Sequence, residues 1–243
     1  MMFKFGEKPL LDYAVQTAQS LNPSKIVVIV GFGKEQVIEH LSKYFAVSGS
    51  GTRQEITGSE SHRKKLVLHY AVQEPQLGTG HAVQQAAGFF SNFNGNVILL
   101  NGDVPFISSS TIDSLVEYHA KTKAGGTVLT ANYKKPYGYG RIVRDSSGNL
   151  LKIVEERDAT EDEKRITEIN TGTFVFDTEY LFSYLSELER DNAQEEYYIT
   201  DMVEILKEHG IRVSAWQTSK PEETYGINTP GQFDELKKML RHR

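Results

Sequence analysis

The first half of the chain alternates between segments with helical periodicity and short apolar runs, and this order constrains the fold more than any other feature. Apolar side chains recur at helical spacing in four segments, at residues 9–21, 35–44, 79–87 and 112–123. Strand-like segments stand between them, at residues 25–30, 66–72 and 97–100. The segment at residues 25–30 contains a continuous β-branched run from residue 26 onward, which is typical of a strand that is covered on both faces. Short helical crossovers between such strands predict an α/β fold with a doubly wound, mainly parallel sheet.

The pattern changes after Gly125. Four short strand patterns follow, at residues 127–133, 140–144, 150–155 and 169–176, and they predict an antiparallel extension of the sheet. Helices are then predicted at residues 179–189, 199–209 and 231–241, with a last strand at residues 211–216. The stretch at residues 48–65 is rich in Gly, Ser, Thr and charged residues and predicts a surface loop.

Composition narrows the classes of function. A length of 243 residues is enough for one domain with a sizeable core. The net charge of -5 argues against nucleic acid as the main partner. The absence of cysteine excludes disulfides, thiolate catalysis and Cys-ligated zinc. There is no apolar run of 18 residues and no signal-peptide core near Met1, so we expect a cytoplasmic protein that does not contact a membrane.

Asp103 is the leading candidate for a functional residue. It follows the apolar run at residues 97–100, in the sequence Asn-Gly-Asp-Val-Pro, and open α/β sheets bind ligands at the carboxyl ends of their strands. A single carboxylate there suits Mg²⁺, which takes most of its ligands from substrate phosphates and water. Asn228, which follows Gly226 and Ile227, could reach the same ion through its carbonyl oxygen; without Asp103 as a partner it indicates only a turn.

The segment at residues 73–82 places two glycines around Thr79, where a helix is predicted to begin. Glycine lets backbone N–H groups approach a ring or a phosphate closely, and the N-terminus of a helix attracts negative charge. Gln73 carries the donors and acceptors that could bind the edge of a pyrimidine. Taken alone, however, this segment is better explained by a glycine N-cap turn at Gly78.

Three further residues are candidates for contacts with a sugar. Gly140 lies within a strand pattern, which indicates either a bend in the sheet or the close approach of a ligand. Glu155 ends an apolar strand and could accept hydrogen bonds from hydroxyl groups, or it could be a solvated strand end. Asn170 could hold a carbonyl or hydroxyl group, or it could close a turn. The polar, tyrosine-containing run at residues 192–201 could line a sugar pocket or be an ordinary helix entrance.

Together these segments resemble the uridylyltransferase domain of the bacterial bifunctional N-acetylglucosamine-1-phosphate uridylyltransferase/glucosamine-1-phosphate acetyltransferase family. The resemblance covers residues 6–230 and rests on the ordered runs EPQLGTGHAV, NGDVP, GYGRIV, IVEERDA, EINTG, NAQEEYYITD and GIN. It implies a Rossmann-like domain of the nucleotide-diphospho-sugar transferase type over residues 1–230, with residues 231–243 as a closing helix at the start of a linker. It also implies Mg²⁺-dependent formation of UDP-N-acetylglucosamine, a precursor of the cell wall, and of pyrophosphate from UTP and N-acetylglucosamine 1-phosphate.

The resemblance gives each candidate residue a role by its position in the family. The uracil end of the nucleotide would be bound by Gln73, Gly78 and Thr79. The ribose and the metal would lie beside Asn101, Gly102 and Asp103, although the family often has an aromatic residue at position 101. The N-acetylglucosamine would be bound by Gly140, Glu155 and Asn170. Mg²⁺ would be bound by Asp103 and Asn228, with Asp103 as the catalytic residue.

Two segments of the family have no counterpart at their usual places. The family begins with a strand and a Gly-x-Gly-Thr-Arg phosphate loop, whereas this sequence matches the family only from just past that point. Residues 49–53 do read Gly-Ser-Gly-Thr-Arg, but no proper apolar strand precedes them, so chance or a flexible loop explains them best. In a rearranged chain, Arg53 would instead contact the triphosphate. The acetyltransferase half also has no counterpart, so we expect no acetyl-CoA site.

The sequence leaves alternative functions open. The chain could use another base or sugar 1-phosphate, although Gln73 and Asn170 favour uracil and N-acetylglucosamine. It could also be a non-catalytic module that binds a sugar nucleotide, because the cationic phosphate loop is not found at its usual place. We expect an enzyme, but the sequence alone does not establish that this chain is active. It also does not indicate an oligomeric state.

Overall fold

The computed structural model describes residues 2, 4–5, 7–44, 46–49, 67–227 and 231–232. Within these ranges the α-helices are Leu10–Ser20 (α1), Lys34–Tyr44 (α2), Thr79–Ala86 (α3), Ser109–Thr122 (α4), Thr178–Tyr184 (α5) and Met202–Glu208 (α6). The strands are Lys4–Phe5 (β1), Lys8–Pro9 (β2), Ile26–Val30 (β3), Ala46–Gly49 (β4), Val67–Val72 (β5), Asn96–Leu99 (β6), Gly126–Asn132 (β7), Arg141–Arg144 (β8), Leu150–Val154 (β9), Glu168–Asp177 (β10) and Val213–Gln217 (β11).

Three parallel strands form a sheet in the first third of the chain. Strand β5 lies in the middle, with β3 on one side and β4 on the other. Leu11 and Val15 of α1 pack with Leu41 of α2 and Leu68 of β5 in one buried cluster. The helical crossovers predicted from the sequence therefore cover this sheet, because their apolar faces are buried against it.

The larger sheet is mixed and is organised around β10. Its strand order is β11-β7-β10-β8-β9, and β6 also pairs with β10. Strand β10 runs antiparallel to β6, β7 and β8, while β11 runs parallel to β7. The antiparallel extension predicted after Gly125 is confirmed.

Strand β10 divides the core into two layers, because successive side chains of a strand point to opposite faces. Phe174 and Phe176 are fully buried on one face, with ring centroids 5.5 Å apart, and pack against α5 and α6. Val175 points the other way and packs with Leu115 of α4. Each such side chain contributes roughly 1.5–3 kcal/mol to stability when fully buried.

The two sheets are joined by packing between helices and loops. Among the described residues, β3 pairs only with β5 and β6 pairs only with β10, so each keeps one edge without a strand partner there. Leu10 at the start of α1 packs against Ile227 in a buried cluster, and the Thr17 hydroxyl donates to the carbonyl of Ile107 (3.0 Å). The bond from Thr17 attaches α1 to the loop that follows β6, and the packing of Leu10 attaches it to the segment at Ile227.

The prediction of a loop at residues 48–65 is wrong for its first two residues. Ser48 and Gly49 belong to β4 and pair with His69 and Tyr70 of β5, so a strand does lead into the Gly-Ser-Gly-Thr-Arg sequence. Ser48 and Gly49 do not extend the apolar pattern by which a strand is recognised in the sequence. They belong to the strand because they pair with the backbone of β5. Residues 50–66, with Arg53, and most of the helix predicted at residues 231–241 lie outside the described residues.

No helix in the described ranges combines the length and the apolar character that a membrane span requires.

Candidate functional site

Asp103 lies in the turn that follows β6, as the sequence predicts. The N–H of Val104 donates to the carbonyl of Asn101 (3.3 Å) and closes this turn. Val104 and Ile107 are buried in the core, so the chain immediately after Asp103 is held in place. The carbonyl oxygen of Asp103 accepts a hydrogen bond from the N–H of Ile227 (2.9 Å), which brings a distant segment to this turn.

That segment, residues 221–227, is called the C-terminal strap below. It begins with a 3-10 turn at Pro221–Thr224. Thr224 is fully buried, and its hydroxyl lies 3.0 Å from that of Tyr133. The N–H of Gly226 donates to the Tyr139 hydroxyl (3.3 Å). Asn228 lies outside the described residues, but the residue before it is bonded to Asp103.

Gln73 follows β5, and its side chain closes the turn that leads to α3. Its Nε2 donates to the carbonyl oxygen of Gly78 (2.8 Å) and lies 3.2 Å from Nδ1 of His81. The side-chain amide nitrogen of Gln73 therefore holds the glycine turn through contacts with other residues of the protein.

Gly78 is the N-cap of α3, so the explanation of this segment as a glycine N-cap turn holds for the local structure. Its φ is +99°, and a Cβ at this position would lie 2.7 Å from the carbonyl oxygen of Tyr197. Tyr197 also donates its N–H to Leu77 (2.8 Å), and the Thr79 hydroxyl accepts from the N–H of Ile199 (3.1 Å). The close approach that requires glycine here is to the backbone of the tyrosine-containing run.

Glu155 lies just beyond β9, against Gly140. A Cβ at position 140 would approach Oε2 of Glu155 to 3.2 Å, and the Thr200 hydroxyl donates to Oε1 (3.2 Å). Burial raises the pKa of Glu155, the bond from Thr200 opposes this effect, and Asp158 adds to it. The side chain is therefore a partly enclosed carboxylate, which is not the solvated strand end of the alternative explanation.

Asn170 lies in β10, and its side chain closes a turn, as one of its two explanations requires. Its Oδ1 accepts the N–H of Gly172 (2.9 Å), and its backbone N–H donates to the carbonyl of Gly140 (2.9 Å). The turn places Gly172 at a φ of +75°, with its α-carbon facing Asn101, and a Cβ here would lie 2.1 Å from Nδ2 of Asn101.

These contacts connect the segments that the sequence singles out. The Gln73–Thr79 turn contacts the run at residues 192–201 through the bond between Thr79 and Ile199. The same run contacts the carboxylate of Glu155 through Thr200. The links from there run through Glu155 and Gly140, Gly140 and Asn170, Gly172 and Asn101, and Asp103 and Ile227. Residues that are far apart in the sequence are therefore connected by a series of contacts just beyond the carboxyl ends of β5, β6 and β9.

Arg141 and Asp201 are two features to which the sequence analysis assigned no role. The Arg141 side chain is completely buried, pairs with Glu156 (2.5 Å) and donates to the carbonyl of Tyr139. Burial, reinforced by the charges of Glu204, Glu155 and Asp158, raises the pKa of Asp201 to about 6. The motifs contain both residues, but nothing in the local sequence indicates that their charges are buried.

The donor chemistry of Asp103 fits a hard divalent cation, because its carboxylate supplies oxygen ligands and leaves space for phosphate and water. Within the described part of the chain there is no group of three or more His, Cys, Asp or Glu side chains that could hold a metal ion; an Mg²⁺ that is bound mainly by substrate needs no such cluster. A surface hollow of about 270 Å³ lies elsewhere, around Phe90 and Phe182, and none of the candidate residues lines it.

Comparison with known proteins supports a single family. A family model described as Nucleotidyl transferase matches residues 1–220. "Bifunctional protein GlmU" of Geobacillus thermodenitrificans is 43% identical over 236 residues, which are 97% of this chain and 46% of that protein. The protein of the same name from Caldanaerobacter subterraneus is 41% identical over 243 residues, 100% of this chain and 48% of that protein. The chain thus spans about half the length of these relatives.

Solved structures show the same fold at low sequence identity. A UDP-glucose pyrophosphorylase complexed with UDP-glucose has a TM-score of 0.71 and 17% identity, with 100% of this chain and 90% of that chain covered. A putative glucose-1-phosphate thymidylyltransferase from Bacillus anthracis has a TM-score of 0.70 and 20% identity, with 99% and 85% covered. The predicted α/β fold class, a parallel sheet with an antiparallel extension, is confirmed.

Proposed function

Because the chain belongs to the nucleotidyl transferase family, we propose that it transfers the uridylyl group of UTP to N-acetylglucosamine 1-phosphate and releases pyrophosphate. The motif order and the identity of 41–43% to two proteins named GlmU support this choice of substrates. The catalytic domain covers residues 1–230 in this proposal. Its nucleotide substrate and its lack of cysteine accord with a cytoplasmic location.

The nucleotide binds between the glycine turn and the turn after β6. Gln73, Gly78 and Thr79 hold the uracil end, and Asn101, Gly102 and Asp103 lie beside the ribose and the phosphates. The turn between β5 and α3 suits this role because the Gln73 side chain bonds to Gly78 (2.8 Å) and so preforms the turn. A base that docks on a preformed edge costs little ordering entropy on binding.

Mg²⁺ is bound by the carboxylate of Asp103 and the side-chain carbonyl of Asn228. When bound, the ion neutralises negative charge on the phosphate oxygens and orients them. The bond between Ile227 and the carbonyl of Asp103 supports this pairing, because it ties the residue before Asn228 to the other ligand.

The amino sugar binds against Gly140, Glu155 and Asn170. A carboxylate that is partly enclosed and held by Thr200 (3.2 Å) can accept hydrogen bonds from sugar hydroxyl groups in a fixed geometry. Gly140 keeps the space beside this carboxylate open, because any side chain there would press on Glu155.

The chemistry requires positioning and charge neutralisation, without a covalent intermediate. A phosphate oxygen of N-acetylglucosamine 1-phosphate forms a bond to the α-phosphorus of UTP. The bond from that phosphorus to the oxygen that bridges it to the β-phosphate breaks, and pyrophosphate leaves with the electron pair. The phosphate oxygen is already anionic, so no general base is needed.

One observation carries the proposal: segments from separate parts of the chain, chosen from the sequence for nucleotide, metal and sugar chemistry, contact one another in series at one side of the fold. A set of unrelated turns would have no reason to converge in this way.

The direct test measures pyrophosphate release from UTP and N-acetylglucosamine 1-phosphate with Mg²⁺, and in parallel the calorimetric binding of UDP-N-acetylglucosamine. Asp103→Asn is expected to lower turnover about 100-fold or more, since it removes a charged metal ligand. Asp113→Asn, on the exposed face of α4, is the matched control and should be without effect.

Each other outcome has a distinct meaning. Binding without turnover would contradict catalysis and identify a sugar-nucleotide-binding module. Faster turnover with dTTP, CTP or glucose 1-phosphate would overturn the substrate assignment. Neither binding nor turnover would contradict the proposal as a whole.

A further inference from the structure

Glu223 is a buried carboxylate in the C-terminal strap, and its bonds extend well beyond the strap. Its Oε2 accepts hydrogen bonds from the N–H of Ser108 (3.2 Å), the hydroxyl of Ser108 (2.7 Å) and the hydroxyl of Thr111 (2.6 Å). Its Oε1 lies 3.2 Å from Nζ of Lys220. Both carboxylate oxygens are therefore held, and three of the four bonds cross from the strap to another element.

The partner of this carboxylate is the N-terminus of a 14-residue helix, α4, whose N-cap is Ser108. A negative charge is stabilised there by the unpaired N–H groups and by the helix dipole. Burial by itself would raise the pKa of Glu223, but the bonds from Thr111, Ser108 and Lys220 outweigh burial and hold the pKa below its usual value. The side chain is thus ionised near neutral pH and acts as a fixed anchor.

The two ends of this anchor lead to the two proposed metal ligands. Ser108 follows Asp103 by one short turn, whose residues Val104 and Ile107 are buried. From Glu223, the strap runs through Thr224, which is buried beside Tyr133, to the residue bonded to the Asp103 carbonyl. The carboxylate and that backbone bond attach the strap at two points to the segment between Asp103 and Thr111, and together they hold the strap beside the turn after β6.

We propose that Glu223 is a positioning residue for the divalent cation: by anchoring the strap to the start of α4, it sets the spacing between Asp103 and the segment that carries Asn228. This inference rests on the proposed function and assigns Glu223 no contact with the cation or substrate. Groups that orient metal ligands without binding the metal typically change metal affinity about 10–100-fold when they are removed.

The experiment uses the full chain and two readouts, of which only the second depends on the proposed function. Hydrogen exchange at the amide of Ile227 reports the bond to Asp103. Titration with Mn²⁺, followed by paramagnetic resonance in the presence of UDP-N-acetylglucosamine, reports the affinity for the cation. The variants are Glu223→Ala and the milder Thr111→Val, which removes the shortest bond and keeps the shape of a buried residue.

The matched control is Asp177→Ala. Asp177 is also an N-cap carboxylate, accepting the N–H of Glu179 at the start of α5 (2.9 Å), and none of the contacts of the candidate site passes through it. Its loss should destabilise the protein in the same manner as the loss of the Glu223 anchor, but should leave Ile227 protected and Mn²⁺ affinity unchanged.

Glu223→Ala is expected to remove the protection of Ile227 and to weaken Mn²⁺ binding about tenfold or more, with a smaller change of the same sign in Thr111→Val. Unchanged protection of Ile227 in a folded variant would overturn the inference. Lost protection with unchanged Mn²⁺ affinity would overturn it too, because the anchor would then be structural only. If the unmodified chain bound no Mn²⁺, the proposed function would fail together with the metal role of Glu223, while the Ile227 signal would still decide whether the anchor exists.

Discussion

The α-carbon of Gly140 faces the carboxylate of Glu155 so closely that a methyl group at position 140 would lie 3.2–3.3 Å from its three carboxyl atoms. This separation is slightly shorter than an ordinary contact, so the carboxylate would have to move by a few tenths of an ångström. A substitution at Gly140 therefore changes the position of the Glu155 carboxylate without removing its charge.

Gly140→Ala is expected to raise the KM for N-acetylglucosamine 1-phosphate about tenfold, equivalent to about 1.4 kcal/mol, because sub-ångström displacement of a binding group is costly. The KM for UTP should change by no more than about twofold, because the proposal assigns neither Gly140 nor Glu155 to the nucleotide. Gly88→Ala is the control, since nothing lies within 4 Å of an added Cβ there. An equal rise for both substrates would argue against a sugar-specific role for Glu155.

Gly172→Ala tests the contact with Asn101. The amide of Asn101 is exposed and can rotate away, so the cost in stability should come only from the positive φ, about 1 kcal/mol. Gly148→Ala, at a φ of +82° with nothing nearby, should cost the same in chemical denaturation. Of these two glycine variants, only Gly172→Ala should weaken the binding of UDP-N-acetylglucosamine. Its affinity should fall to that of the Asn101→Ala variant. If the double variant bound still more weakly than either single variant, the two residues would not act through one contact.

Asp201→Asn should make the protein more stable near neutral pH. Burial raises the pKa of Asp201 from 3.8 to about 6, so the folded state favours the protonated form. The stability this provides is fully present below pH 3.8 and is lost as the pH rises through about 6. The variant should therefore match the original protein near pH 4 and exceed it by about 1–3 kcal/mol at pH 7.

Urea denaturation between pH 4 and pH 8 measures this difference, with Asp113→Asn as the exposed control. A pH-independent difference would show that the effect of the substitution is unrelated to the charge of Asp201.

Arg141→Ala should be strongly destabilising, by about 3–5 kcal/mol, because it leaves Glu156 without its buried partner. Arg165→Ala removes an exposed pair with Asp162 and should change stability by no more than about 0.5 kcal/mol. Replacing both partners, with Arg141→Met and Glu156→Gln, should recover part of the loss. Guanidinium denaturation of the four proteins measures these values, and equal costs for Arg141→Ala and Arg165→Ala would contradict the burial argument.

The sequence predicts the elements whose stability is local. Helix α4 is found within a few residues of its predicted bounds, because Ser108 caps its start and its apolar positions repeat regularly. Strand β3 is recognisable because all five of its residues are apolar and β-branched. Strand β4 is missed because its pairing with β5 decides its structure. The predicted helices at residues 179–189 and 199–209 are partly 3-10 turns, at Leu185–Glu187 and Ile199–Asp201, which the same periodicity does not distinguish.

The sequence singles out segments that contact one another in the folded chain, but it predicts their local contacts only in part. The sequence indicates that a ligand could approach Gly78 and Gly140, whereas in the structure Tyr197 lies against Gly78 and Glu155 lies against Gly140. The burial of Arg141 and Asp201, and the anchor at Glu223, depend on segments that meet only in the folded chain. No local pattern of residues encodes such contacts.

The bond between Thr79 and Ile199 spans 120 positions of the sequence, and the neighbouring contacts of Gly78 with Tyr197 are equally long-range. A growing chain emerges from the ribosome amino end first, so the glycine turn exists as a peptide long before its brace has been synthesised. Contacts of such large separation are slow to form, because the chain must close a long loop before it gains them. Completion of the turn at Gly78 and Thr79 must therefore await the synthesis of residues 197–199, and a ribosome that pauses before that point holds a chain whose glycine turn is still without its brace.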